Sequence, residues 1–246
     1  MRKKGIMKEQ VKIFFKGEIS KRTLTYRLLP FTIGGFSVFL IIARVLFPHD
    51  LAYPYSWTTS TISRLGIPHQ NPIGWFFFCA AFIWLGVFFL PLVSYMYSRF
   101  SNINKLGAKL MAILILASCI SDILLGAIPN ISPKFFRIMH GLNAVIAFQG
   151  ILLMALLSFI LMVYHEKRGK STFSRRYLLV YLITLLYGIT CSLLVLIFME
   201  QNIEGYYTYV PGTPILASSP FWEWQGFIIL LCLMTILCFI VPEKIE

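Results

Sequence analysis

The chain has 246 residues, 58% of them hydrophobic and only 13% charged, with a formal net charge of +12. About a quarter of the residues of a soluble domain are charged, so this composition excludes an ordinary soluble globular protein. The positive balance does not indicate nucleic acid as a partner, because the basic residues flank long apolar runs, as they do beside membrane spans.

In chain order, residues 1–27 form a basic N-terminal arm ahead of a membrane domain over 28–246. Within the arm, Ile6, Met7, Val11, Phe14 and Phe15 recur at helical spacing, and Lys8, Lys12 and Lys16 share another face. This suits an amphipathic helix lying on an anionic leaflet; a disordered basic tail that only enforces topology is the other reading. Six apolar runs follow, near 28–47, 74–97, 106–127, 138–164, 177–199 and 222–241. Each approaches or exceeds the roughly 20 residues needed to cross a bilayer. The first run starts too late and runs too long for a cleaved signal, and no small-residue cleavage site follows it. The expected fold is all-α, a polytopic six-helix membrane bundle.

Basic residues are dense before the first span, between spans two and three (Arg99, Lys105), and between spans four and five (Lys167, Arg168, Lys170, Arg175, Arg176). The alternate links carry fewer: Arg64, then Lys134 and Arg137, then none. Positive residues stay cytoplasmic, so both termini are expected in the cytoplasm and the protein in the cell membrane. The five cysteines all fall in spans, in no zinc spacing, and read as small buried hydrophobes.

Two outer links are long. The segment Tyr53–Pro72, YPYSWTTSTISRLGIPHQNP, is rich in hydroxyl side chains, which suit helix caps and turns. The link 200–221 holds Tyr206, Tyr207 and Tyr209 as interfacial anchors, then Pro211, Gly212 and Pro214, which predict a turn folding back over the bundle.

A charge within a span costs about 3 kcal/mol at the bilayer centre and therefore faces a partner or a cavity. Asp122 lies late in span three, His140 and Asn143 early in span four, and Glu223 at the start of span six. Arg44, His49 and Asp50 close span one, and Arg64, Ser60 and Ser63 lie in the following loop. All of these converge on the outer leaflet. Asn143 follows His140 by three residues, which places both on one side of a helix. Gln149, deeper, is placed to floor a cavity or bond a neighbouring helix. The midplane is nearly free of charge, which argues against an ion-coupled transporter. No motif for a metal, haem, quinone or flavin is present, so no cofactor is expected.

The loop motif Thr61-Ile62-Ser63-Arg64-Leu65-Gly66, followed by Asn71-Pro72 and the aromatic start of span two, resembles an uncharacterised prokaryotic six-helix membrane family. That family is domain of unknown function nine-nine-eight, related to DRAM/Frag/Sfk-type membrane proteins. The stretches DILLGAIPN with His140 after it, and FWEWQG, resemble further segments of the same family. The family's loop aspartate is Arg64 here, which removes that acid from any role. The resemblance implies six helices and no defined activity.

The leading expectation is a polar pocket at the outer leaflet, with membrane lipids as partners and a lipid headgroup or amphiphile as ligand. Arg64 meets phosphate in that reading, His140 and Asn143 bond the headgroup, and Asp122 and Glu223 hold the basic groups; Ser60 and Ser63 complete the set. A membrane-embedded lipid hydrolase or transferase, with His140 and Asp122 activating Ser60 or Ser63, is the alternative. No G-x-S-x-G elbow surrounds either serine. A third reading is a scaffold without a ligand, in which the polar cluster only pins the loop.

Overall fold

A computed structural model describes residues 18–49, 55–58, 60–128, 134–169, 172–199 and 214–245. The described residues are all-α. Six helices are long and apolar enough to cross a membrane: α1 Lys21–Val45, α2 Gly74–Phe100, α3 Lys105–Ala127, α4 Lys134–Lys167, α5 Arg175–Met199 and α6 Ser219–Ile240. Val38, Ile113, Ile160, Leu179 and Ile197 are each more than half exposed. An apolar exterior of this kind is what a bilayer covers, and the chain is a multi-pass membrane bundle. The arm expected to be amphipathic, and Asp50, Tyr206, Tyr207, Tyr209, Pro211 and Gly212, lie outside the described residues.

Helix α1 begins at Lys21, ahead of the apolar run read from the sequence. Ser20 caps it, accepting from the backbone N–H of Thr23 at 3.2 Å. Lys21 is held as well, its Nζ donating to the carbonyl of Phe239 at 2.7 Å and its backbone N–H to the Glu243 carboxylate at 3.3 Å. Between Leu24 and Leu28 the helix widens into a π turn. Pro30 accounts for the widening: its ring crowds the carbonyl four residues earlier, and a wider turn relieves that clash.

Consecutive helices run antiparallel, so six of them bring the two ends of the described chain together. At this terminal end Arg99 Nη2 donates to the carbonyl of Ile19 at 3.3 Å, and Asn102 Nδ2 to that of Ile245 at 2.9 Å. The opposite end, the loop end, carries the segment 55–73. Neighbours α2 and α3 pack closely, as do α3 and α4, and α5 and α6. Helix α4, in contrast, touches α5 and α6 at few points. Phe227 of α6 bridges part of this gap, its ring 5.1 Å from Phe36 of α1 and 5.7 Å from Phe148 of α4. The rest of the gap is a cavity. All five cysteines are free thiols, four of them buried; Cys232 faces outward.

Candidate functional site

The loop-end segment is a packed cap. Its centre is a short 3-10 turn, Ile62–Gly66, with Ile62, Leu65 and Gly66 buried. Tyr55 donates its hydroxyl to the carbonyl of Thr61 at 3.2 Å, and Arg44 Nη2 donates to the carbonyl of Tyr55 at 3.0 Å. Burial pushes the Tyr55 hydroxyl far above its ordinary pKa, so it stays a donor. Asn71 Nδ2 donates to the carbonyls of Ala43 and Leu65 at 3.0 and 2.9 Å, while its Oδ1 accepts from the N–H of Gly74 at the start of α2. Asn71 thus locks the turn to the ends of α1 and α2.

Helix α6 holds the cap from the other side. Trp224 Nε1 donates to the carbonyl of Ser60 at 3.0 Å, and its ring lies 4.5 Å from that of Trp57. The Glu223 carboxylate lies beside the backbone N–H groups of Ile62 and Ser63.

Under this cap, between α4, α5 and α6, lies a cavity of about 220 Å³. Thr61, Ser63, Arg137, His140 and Glu223 line its loop end. Phe148, Leu152, Val195, Phe227 and Leu230 make its deeper walls apolar. Partway down, Gln149 of α4 donates to Ser192 Oγ of α5, so Gln149 both lines the cavity and ties the two helices together. Val145 of α4 and Leu196 of α5 line the cavity, and each is 57% exposed. The cavity therefore opens sideways, between α4 and α5, onto the surface the bilayer covers.

His140 sits between cap and bundle. One ring nitrogen, Nδ1, lies 3.1 Å from the carbonyl of Ile128; the other, Nε2, lies 3.2 Å from Ser63 Oγ. A carbonyl only accepts, so Nδ1 carries the proton and Nε2 is left as an acceptor. Ser63 then donates its hydroxyl to Nε2. The buried Oγ1 of Thr61, two residues earlier, has no hydrogen-bond partner among the described residues.

Of the residues singled out in the sequence, Ser63, His140 and Glu223 meet at the cavity. Arg64, 5% exposed, lies behind the cap: its Nε donates to Gln70 Oε1 at 2.8 Å, its Nη1 to Ser60 Oγ at 2.9 Å, and it stacks 5.1 Å from the Phe47 ring. Burial works against its charge and lowers its pKa. Ser60 is turned toward Arg64. Asp122, 4% exposed, and Asn143, whose Nδ2 donates to the carbonyl of Met139 at 2.9 Å, are buried and do not line the cavity. Arg137 is the cation at the cavity mouth. In the sequence it reads as a topological flank; its spacing of one turn before His140 is the signal that marks it. The carbonyl of Ile128 and the hydroxyl of Ser192 have no comparable signal. Among the described residues no group of three or more His, Cys, Asp or Glu side chains is arranged to hold a metal ion.

Comparison of the chain with family models, with curated proteins and with solved structures finds no match.

Proposed function

We propose that the protein binds an amphiphile, with an apolar chain in the cavity between α4, α5 and α6 and a polar head beneath the cap. One observation carries this reading: a cavity of about 220 Å³ that is polar at one end, apolar along its depth and open sideways to the bilayer. Small-molecule sites combine mostly apolar walls with a few convergent polar groups. Arg137 supplies charge for a phosphate or carboxylate head, the Ser63 oxygen, whose proton goes to His140, accepts from a hydroxyl or amine of the head, and Glu223 lines the same polar end. Arg64 supports the cap from behind. The basic links between spans favour cytoplasmic termini, so the head binds at the outer leaflet of the cell membrane. Membership of the six-helix family that the loop motif resembles belongs to the same proposal and rests on Thr61–Gly66 and Asn71–Pro72.

The test is mass spectrometry of lipids that remain with the detergent-purified protein, beside Gly141→Leu. Gly141 lines the cavity, and the position of a Cβ there has nothing within 4 Å. Its neighbours one turn away, Arg137, Ala144 and Val145, line the cavity too, so a side chain at 141 projects into it. A species enriched on the wild type and lost from the variant is expected. The same bulk lipid on both would leave a ligand-free scaffold as the reading.

A further inference from the structure

We infer that Ser63 and His140 are a nucleophile and general base that hydrolyse an ester of the bound amphiphile. The inference rests on the amphiphile reading and adds chemistry to it. Three features of the geometry point to it. A serine hydroxyl donating to a histidine whose other nitrogen is held by a fixed acceptor is the arrangement that activates a nucleophile. Here the distances are 3.2 Å from Ser63 Oγ to Nε2 and 3.1 Å from Nδ1 to the Ile128 carbonyl. The backbone carbonyl takes the orienting place that a carboxylate fills elsewhere. Second, both side chains line the cavity at its polar end, where the first carbons of an acyl chain join its head. Third, the reaction needs a donor for the oxyanion; Thr61 lines the same cavity, and its Oγ1, buried just behind that wall, has no partner among the described residues and is available to turn toward it. Arg137 adds a charged donor at the mouth.

The step balances as follows. Ser63 Oγ adds to the ester carbonyl carbon while its proton passes to His140 Nε2. The carbonyl oxygen becomes an oxyanion facing Thr61. Collapse breaks the bond to the alcohol oxygen, which leaves with the proton from Nε2, and Ser63 is acylated. Water then attacks the acyl carbon, giving one proton to Nε2 and, through it, to the departing Ser63 Oγ. The products are a carboxylic acid and an alcohol. Glu223 lines the same end of the cavity, beside the turn that carries Ser63.

The experiment treats the full-length detergent-solubilised chain with a long-chain alkyl fluorophosphonate, which phosphonylates activated serines, and maps the adduct by peptide mass spectrometry. One adduct is expected, on Ser63. It should be absent in Ser63→Ala and form about 100-fold more slowly in His140→Gln, the scale of a lost general base. No adduct on Ser63, or an unchanged rate in a folded His140→Gln, overturns the inference and leaves the Ser63–His140 bond as a latch. The wild-type adduct decides the matter even where a variant fails to fold. Binding of a pyrene-tailed lysophospholipid to the wild type, measured in parallel, separates two failures. Binding without an adduct removes the chemistry and keeps the amphiphile site; neither binding nor adduct removes both.

Discussion

At the scale of single residues, Glu223 shows what a charged side chain at a membrane helix end can do without a salt bridge. Its carboxylate lies beside the N–H groups of Ile62 and Ser63, where accepting from them would fasten the cap turn to α6. Removing an acceptor from a buried donor costs about 1–3 kcal/mol. For a chain of this size each kcal/mol moves Tm by about 2–4 °C. Glu223→Ala should therefore lower Tm by about 2–12 °C in detergent, read by tryptophan fluorescence or calorimetry. Glu223→Gln keeps an oxygen that accepts and should lose less than half as much. Equal losses would mean that the charge itself, and not the cap, is what the turn needs. The sequence marks Glu223 and His140 because an ionisable group in a span requires a reason. It does not distinguish Arg64 from Arg137. Which arginine reaches the cavity depends on how the loop folds over Phe47 and Ser60, contacts between residues far apart in the chain. His140 and Asn143 illustrate a related limit. Residues three apart lie about 60° apart around a helix axis, enough here for His140 to edge the cavity while Asn143 turns away from it.

At the scale of elements, the number of helices was legible because each must supply an apolar run long enough to cross the bilayer, but their ends were less so: α1 starts at Lys21, seven residues before its apolar run, and α4 extends over Lys134–Lys167, beyond the run 138–164. How closely the helices approach was also less legible. Gly86 of α2 abuts the Cys119 carbonyl of α3, and Gly126 of α3 abuts the Cys79 carbonyl of α2. The two close approaches lie two turns apart along an antiparallel pair, each helix offering a glycine where the other offers a backbone oxygen. Small residues serve this purpose in membranes, where close packing and not the hydrophobic effect joins helices. A Cβ at either glycine would overlap a backbone carbonyl, which cannot rotate away as a side chain does. Gly86→Ala should cost about 1–3 kcal/mol through overpacking. Gly34→Ala, where a Cβ has nothing within 4 Å, should be neutral or mildly stabilising through better helix propensity. Thermal melts of the two variants in one detergent compare them directly. A Gly86→Ala protein as stable as Gly34→Ala would show that α2 and α3 separate without penalty. The polar end of the cavity was marked in the sequence by Ser63, His140 and Glu223, but its apolar depth was not: it exists because α4 packs on α3 and stands off α5 and α6, and apolar residues line it as they would line a core.

At the scale of the whole molecule, that gap divides the bundle unequally. Helices α1 to α4 pack in succession, α5 and α6 pack on each other, and the cavity runs along the seam between the two groups. Phe227, the Gln149–Ser192 bond, the cap contacts of α6 and the terminal-end contacts of Lys21 with Phe239 and Glu243 cross between them. An amphiphile in the seam would touch α4 on one side and α5 and α6 on the other, so its binding energy adds to the folded state alone. A ligand at 100 times its Kd stabilises by about 2.7 kcal/mol, or about 5–11 °C at the same conversion. Exhaustive delipidation should therefore lower the Tm of the wild type, and a lysophospholipid added back should restore it in a saturable way. In Gly141→Leu the added side chain occupies the mouth, so its Tm should respond to neither treatment. A response of equal size in both proteins would place the lipid effect on the outer apolar belt that every membrane bundle shares. A response confined to the wild type would place it in the seam, where one chain of lipid joins the two groups of helices.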